Sequence, residues 1–218
     1  MIQLLNIALL ILIPLVKLSD ISKSEDVIKP SEWESLKSSD GVTTYERWIV
    51  SAGNNKTRER KGEMMVESSI EEVIAILSNT KSSAVWMKNI SETYDLKKIS
   101  SNEWFTYTLF HIPWPFSNRD LVSNVKLQTI SEKGAASINI ESRENFIPSK
   151  PKTIRLTNYK ANWKIKSIDK NKIKIIFTAI TDEPPMFPRW IQDPIVENIF
   201  HNNLVNLKQY IRLHKTVN

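Results

Sequence analysis

Residues 111–120 read His-Ile-Pro-Trp-Pro-Phe-Ser-Asn-Arg-Asp. This stretch joins two strand-like runs, 104–110 and 121–130. Because proline has no N–H to donate to a strand ladder, its two prolines predict a stiff loop between the strands. Trp114 and Phe116 put two large apolar side chains into that loop. The loop is either a hairpin whose aromatic rings enter the core, or a gate over an apolar cavity that touches a membrane.

On both sides of this loop the chain predicts a succession of strands. Their connections are short, as at Ser101-Asn102 and Asp169-Lys170-Asn171. Short turns join antiparallel neighbours, so most of the sheet is expected to be antiparallel. A further turn is predicted at Gly53-Asn54-Asn55. The predicted strands cover residues 42–50, 56–67, 91–100, 103–110, 119–130, 135–145, 153–168 and 172–181.

Four helices are predicted from capping and periodicity. Ser31, with Glu34 three residues later, matches a capping box and predicts a short helix from Glu32 to near Gly41. A second helix begins at Ser68 or Ser69, with acidic residues in its first turn. A short third helix covers residues 82–87. The last and longest helix starts at Pro188 or Arg189, reaches Lys215 and has apolar residues at three- and four-residue spacing.

The order of these elements predicts an α+β fold. The long C-terminal helix must bury its apolar stripe, and the concave face of a curved antiparallel sheet is the large surface that remains for it. One predicted strand face mixes bulky and small residues: Tyr159, Ala161, Trp163 and Ile165. A sheet curled around one helix in this way is expected to enclose an internal apolar cavity.

Composition narrows the functional classes. The 218 residues suit one domain, with 41% hydrophobic and 25% charged residues. Only four glycines are present, and the common phosphate-loop and hydrolase-elbow motifs do not occur. With no cysteine in the chain, thiolate catalysis, disulfides and zinc-thiolate sites are excluded. The three histidines are too far apart in sequence to suggest a metal site, so neither a metal nor a cofactor is predicted.

The chain carries a net charge of +6, spread over small basic clusters. One such cluster contains Lys56, Arg58, Arg60 and Lys61. A solvated basic surface explains this charge, and weak attraction to anionic lipid headgroups is the alternative. No basic-aromatic motif of nucleic-acid-binding type is present, so nucleic acid is not a predicted partner.

The N-terminal segment differs from the rest of the chain. Residues 7–16 are an unbroken apolar run, too short to span a bilayer but of the length of a signal-peptide core. We therefore predict a signal peptide at 1–19, a lead-in at 20–30 and one domain at 31–218. The protein is expected to be exported, to the periplasm or outside the cell. An uncleaved interfacial anchor and a buried first helix are the alternatives.

Three motifs within residues 31–213 resemble the START lipid-transfer domain, which has a helix-grip fold. Residues 113–120 are similar to the family's P-x-P-x-x-x-R-D loop and strand start. Trp86, with Lys88-Asn89 after it, is similar to the family's tryptophan-bearing segment. Residues 187–191, Phe-Pro-Arg-Trp-Ile, resemble the proline-tryptophan start of the C-terminal helix.

The resemblance implies an apolar tunnel between sheet and helix that holds a lipid or another hydrophobic molecule. It also implies a mouth at the 111–120 loop and the C-terminal helix, in transient contact with a membrane. Sterol-binding members often carry an arginine on the strand after the motif; the residue six positions beyond Arg119 here is Val125. The predicted wall and mouth residues are Trp104, Tyr107, Phe110, Trp114, Phe116, Arg119, Tyr159, Ala161, Trp163, Phe177, Trp190, Ile191, Ile195 and Ile199.

Arg119 and Asp120 allow two interpretations: a ligand-headgroup site, or a structural ion pair with hydrogen bonds that hold the loop. Three functions are weighed for the whole chain. The first is a monomeric, non-enzymatic lipid-binding or transfer module. The second is an enzyme of the same superfamily, a cyclase or hydrolase acting on a hydrophobic substrate, although no positioned base or nucleophile is visible. The third is a nucleic-acid or protein-binding module, suggested only by the basic charge. The sequence favours the first.

Overall fold

Ten strands and three helices are present in a computed structural model that describes residues 30–50, 56–114, 116–130, 134–182 and 185–214. The signal-peptide prediction and the turn at 53–55 lie outside the described residues. The strands are β1 Glu34–Ser39, β2 Val42–Val50, β3 Lys56–Glu67, β4 Ile90–Lys98, β5 Glu103–Phe110, β6 Asn118–Ile130, β7 Ala135–Ser142, β8 Thr153–Arg155, β9 Tyr159–Asp169 and β10 Lys172–Thr181. The helices are α1 Ile70–Ser78, α2 Thr80–Trp86 and α3 Arg189–Leu213.

The strands form one sheet in the order β1-β2-β3-β10-β9-β7-β6-β5-β4, with β8 beside β6. Every pair on this path is antiparallel, as the short turns predicted. The pairing of β3 with β10 brings the first three strands onto the later meander. Because strands alternate their side chains between two faces, this one sheet offers α3 a continuous apolar surface.

The first predicted helix is wrong, because residues 34–39 form the edge strand β1. Ser31 does not cap a helix: its backbone N–H donates to the Trp48 carbonyl at 2.9 Å, and its hydroxyl accepts from the Trp48 N–H at 2.8 Å. A short helix here would have satisfied only its own backbone. Pairing with β2 satisfies the backbone of both strands, so tertiary pairing overrides the local capping signal.

The predicted strand 153–168 is also corrected, since it is broken at residues 156–158 into β8 and β9. Three residues of β8 pair with β6 in parallel, from Asn118↔Thr153 to Asp120↔Arg155. The Leu156 N–H then donates to the Asp120 carbonyl at 2.8 Å, and the chain turns into β9. The sheet therefore contains one short parallel pair that the turn lengths did not indicate.

The other helices match their predictions in kind, with shifts of one or two residues at their ends. Ser69 caps α1: its hydroxyl accepts from the Glu72 N–H at 3.2 Å, and the Glu72 carboxylate accepts from the Ser69 N–H at 3.2 Å. Asn79 caps α2 through hydrogen bonds from the N–H groups of Lys81 and Ser82. None of the described helices is long and apolar enough to cross a membrane.

The long helix α3 lies across the concave face of the sheet and contacts it at close range. A Cβ placed on Gly62 of β3 would sit 2.1 Å from Leu204 Cδ1, so any larger residue here would force Leu204 to move. The inward face of the helix carries Leu204, Leu207 and Ile211, which are at most 3% exposed. The helix also buries His201.

Candidate functional site

Three adjoining chambers lie on the face of the sheet that the helices cover, one of them under α2 and two beside α3. The innermost has a volume of about 100 Å³ and lies under α2 and strands β4 to β7. Trp104 and Phe110 of β5 contribute to its wall, with Thr106 and Thr108 between them. The hydroxyls of these threonines bond to neighbouring hydroxyls, Thr106 to Ser123 at 2.8 Å and Thr108 to Thr93 at 3.1 Å. The chamber therefore has polar atoms in its wall that are already paired.

The central chamber has a volume of about 240 Å³ and is closed on one side by α3. Its wall is aromatic. The rings of Trp163 and Phe177 stack with centroids 4.0 Å apart, and Phe177 meets Phe200 of α3 at 5.7 Å. Trp86 of α2 contacts the edge of Trp163 at 6.2 Å. Such a surface suits an apolar molecule more than a polar one.

The outer chamber has a volume of about 190 Å³ and is charged. Arg58 and Arg60 of β3, Arg119 of β6, and Arg189 and Asp193 of α3 all lie in its wall. The central chamber shares Trp86, Phe110, Tyr159 and Trp163 with the inner one and Arg60, Ile112, Arg119 and Val196 with the outer one. Because they share these wall residues, the three chambers adjoin one another, and we treat them together as one cavity that is apolar inside and charged at its mouth.

Residues 111–120 and the segment before α3 form the mouth together. Phe116 packs edge-on against Phe187, with ring centroids 4.7 Å apart. A guanidinium N–H of Arg119 donates to Met186 Sδ at 2.8 Å. In contrast to Phe116, Trp114 is 91% exposed and Trp190 is 78% exposed. Phe116 therefore holds the mouth together, while the two tryptophans extend into the solvent.

Most of the predicted residues fall on this cavity or its mouth. Trp104, Phe110, Phe116, Arg119, Tyr159, Trp163, Phe177 and Ile199 lie in the chamber walls. Ala161 is buried in the core cluster beside the walls, on the strand face shared by Tyr159 and Trp163. Whether these residues bind a ligand stays a prediction.

Tyr107 requires a correction, because it lies on the other face of β5 from Trp104 and Phe110. Its ring packs against Tyr94 with centroids 5.2 Å apart. Its hydroxyl donates to Asp120 at 3.3 Å, and burial, followed by the charge of Asp120, raises its pKa. The side chain thus belongs to a polar cluster behind the sheet. The alternation of strand side chains is the signal that separates the two faces.

Two of the predicted wall residues on α3 do not line the cavity. Val196, Ile199, Phe200 and Leu204 face the cavity. Ile191 and Ile195 are half-buried but lie in none of the three chamber walls. Apolar residues occur on both sides of this helix, so their spacing did not determine which side contacts the sheet.

The ion pair between Arg119 and Asp120 is not formed. Asp120 is instead fully buried and paired with Arg155 of β8, with Nε–Oδ1 at 2.8 Å and Nη2–Oδ2 at 2.9 Å. The hydrogen bond to Asp120 raises the pKa of Arg155. Arg119 points the other way and donates to the Ser117 carbonyl at 2.8 Å. Adjacent strand residues face opposite sides of the sheet, which explains why Arg119 and Asp120 have different partners.

Arg60 is the wall residue that the sequence analysis missed. It was noted as part of a basic cluster, yet it alternates with Gly62 and Met64 on the inward face of β3. Burial lowers the pKa of its guanidinium. Tyr159 also lies in the wall, and burial raises the pKa of its phenol. No group of three potential metal ligands occurs among the described residues.

A larger surface cleft of about 500 Å³ lies beside the C-terminal half of α3. Lys172, Lys208, Arg212, Asp40 and Glu67 form its rim together with Val66 and Val205. The Lys208 ammonium there donates to the Gly41 carbonyl at 3.0 Å and ties α3 to the β1–β2 turn. Because its lining is charged and open, this cleft resembles a solvated surface more than an apolar ligand site.

Comparison with solved structures identifies the architecture. A STAR-related lipid transfer protein from Xanthomonas axonopodis superposes with a TM-score of 0.71 at 23% identity, over 83% of this chain and 98% of that one. The chain has the START helix-grip fold. The human StAR-related lipid transfer protein 5 also has a TM-score of 0.71, at 19% identity, over 83% of this chain and 86% of that one.

Three other comparisons do not specify the function further. No protein-family model matches the sequence. An uncharacterised protein of Pseudomonas aeruginosa is 23% identical over 177 residues, covering 81% of this chain and 85% of that protein. A Streptomyces aromatase/cyclase shares the fold more distantly, with a TM-score of 0.53 at 9% identity over 72% of this chain and 94% of that one. The START fold is thus also found in an enzyme.

Proposed function

We propose that this protein binds a lipid or another hydrophobic small molecule in the cavity under α3 and transfers or senses it at a membrane. The observation that supports this most is the succession of three adjoining chambers, from an aromatic interior to a charged mouth beside the exposed Trp114 and Trp190. The similarity to two lipid transfer proteins of the START fold agrees with this function.

The physical chemistry of lipid movement explains why an apolar cavity would be combined with exposed tryptophans at its mouth. Exposing one methylene group to water costs about 0.8 kcal/mol, so a lipid chain must pass from membrane to protein without contact with bulk water. A mouth that touches the bilayer meets this requirement. Tryptophan prefers the membrane–water interface, which makes Trp114 and Trp190 suitable contacts. We further propose that residues 1–19 direct export, so that the membrane lies in the cell envelope.

The first test is to purify the protein from its native host without denaturant and identify bound small molecules by mass spectrometry. We expect about one apolar molecule per chain. Ala161→Trp adds a ring beside the central chamber and is expected to abolish this occupancy; Ala179→Leu, a smaller addition in that wall, should reduce it. Ala84→Trp, on the exposed side of α2, adds the same ring outside the cavity and should leave occupancy unchanged.

Cooperative thermal melting confirms that each variant is folded. Empty wild-type protein, or folded Ala161→Trp and Ala179→Leu variants that carry as much ligand as Ala84→Trp, would contradict the proposal. The enzymatic alternative predicts a different result: the recovered molecule would be chemically changed on incubation with the protein.

A further inference from the structure

Arg60 is a half-buried cation at the boundary between the apolar and charged parts of the cavity. It lines both the central and the outer chamber. Its Nε is buried and has no hydrogen-bond partner, and no carboxylate of the described residues lies within 4.0 Å of its guanidinium nitrogens. Arginine keeps its charge in proteins, so Arg60 is a partly desolvated cation with no ion-pair partner among the described residues.

The two nearby carboxylates bind other arginines. Glu46 accepts two hydrogen bonds from Arg58 Nη1, at 2.6 and 2.7 Å. Asp193 lies 3.1 Å from the same Arg58 nitrogen and 3.9 Å from Arg189. Both carboxylates influence the pKa of Arg60 only over a longer distance, and burial outweighs them.

The charge at the mouth is therefore unbalanced. Arg58, Arg60 and Arg189 contribute three positive charges, while Glu46 and Asp193 contribute two negative ones, which leaves one positive charge in excess among these described residues. A buried guanidinium without an anion is costly, and a carboxylate or phosphate that it can bind with two N–H groups relieves this cost. The cavity thus offers a site for an anion beside a site for an apolar chain.

We propose that the ligand is an amphipathic lipid whose anionic head group binds Arg60 at the mouth while its apolar chain fills the central and inner chambers. This inference rests on the proposed function and specifies its ligand class. The shared chemistry is a carboxylate or a phosphate on an alkyl chain. The head group enters last and stays near the charged rim, and the chain lies against Trp163, Phe177 and Phe200.

The test compares three probes that share one alkyl chain: dodecanoate, dodecyl phosphate and dodecanol. Each is titrated below its micelle concentration into delipidated full-length protein, and binding is measured by calorimetry. We expect the wild type to bind at least one anionic probe about tenfold or more tightly than dodecanol, as a charge-assisted bidentate contact implies. The stronger of the two anionic probes distinguishes a fatty-acid carboxylate from a lipid phosphate.

Arg60→Gln is expected to lose this preference while still binding dodecanol, and Arg60→Lys to keep part of it. Removing a half-buried charge that has no ion-pair partner among the described residues does not endanger the fold, so both variants should melt as the wild type does. Arg143→Gln is the matched control, because Arg143 pairs with Glu141 on the surface and is 46% exposed. It should bind all probes as the wild type does.

The outcomes separate the two proposals. If the wild type binds dodecanol as tightly as both anions, or if Arg60→Gln keeps the full anion preference, the head-group inference is wrong and the apolar cavity still stands. If no probe binds and the protein from the native host is empty, the proposed function fails as well.

Discussion

Asp120, the last residue of the 111–120 loop, binds residues that are distant from it in the sequence. It is fully buried behind the sheet, where it accepts two hydrogen bonds from Arg155, 35 positions later, and one from Tyr107. Since β8 pairs with β6 at this point, the ion pair fixes the strand that leads into the cavity wall. Arg119, one residue earlier, faces the mouth instead.

Asp120→Asn should therefore destabilise the whole fold. It leaves the Arg155 guanidinium buried without its counter-charge, which costs about 3–5 kcal/mol of unfolding free energy. Urea unfolding measures the loss. Glu141→Gln removes the surface pair with Arg143, whose side chains are 50% and 46% exposed, and should cost at most about 1 kcal/mol. A loss for Asp120→Asn as small as that of this control would contradict the structural role.

At the scale of elements, the 111–120 loop and the segment just before α3 act as one unit. Phe116 and Phe187 are in contact, and Arg119 reaches Met186, so the two segments are joined from different parts of the chain. This joint presents Trp114 and Trp190 to the solvent at the open end of the cavity. Within the described part of the chain, no ring contact ties either tryptophan to the joint, which agrees with the proposal that both contact the membrane.

Trp114→Ala combined with Trp190→Ala should slow lipid transfer between vesicles and leave the melting temperature unchanged. Losing about 1.4 kcal/mol of interfacial binding lowers a binding constant tenfold, so the removal of two rings should slow transfer at least severalfold. Leu213→Ala is the control, because Leu213 is 74% exposed at the opposite end of α3. Transfer by the double variant as fast as by this control would show that the membrane contact lies elsewhere.

The whole molecule depends on the sheet holding α3 at several points along its length. Asn203 bonds Asn89 at 2.9 Å, and Lys208 bonds the Gly41 carbonyl at 3.0 Å. His201 is 1% exposed, with Nε2 at 2.9 Å from the Ser39 hydroxyl and no partner for Nδ1. Burial, reinforced by the charge of Lys37, lowers the pKa of His201 more than Asp40 raises it.

This histidine makes the stability of the molecule pH-dependent. The folded state holds His201 neutral, whereas the unfolded chain takes up a proton as the pH falls below the ordinary histidine pKa of about 6.5. The protein is therefore most stable, as far as His201 is concerned, above that pH. Its free energy of unfolding decreases as the pH falls from the unfolded pKa of His201 towards the lowered folded pKa. Urea unfolding about one unit above and one below 6.5 measures the change.

His201→Gln keeps a side chain that can bond Ser39 but cannot titrate, and it should remove most of this dependence. Carboxylates titrate mainly at lower pH, so they contribute little in this interval. An equal loss of stability in wild type and His201→Gln would assign the pH dependence to other groups.

Sequence patterns predicted most strand positions, because alternating and short runs bounded by turns are local features. They also located the aromatic loop and, through its resemblance to START domains, the helix-grip fold. They failed where a contact between distant segments decided the outcome. Residues 34–39 became a strand because β2 was available to pair with them, and β8 was separated from β9 by its pairing with β6.

For the cavity, the sequence by itself determined that bulky and small residues would share one face of β9 and that an apolar helix would cover the sheet. Only the tertiary structure decided which face of α3 turns inward, that Tyr107 lies behind the sheet, and that Asp120 binds Arg155. It also placed Arg60 at the mouth, with no ion-pair partner in the part of the chain that the structure describes. All these features are contacts between residues that are distant in sequence. Strand register and helix rotation determine such contacts, and local propensity does not.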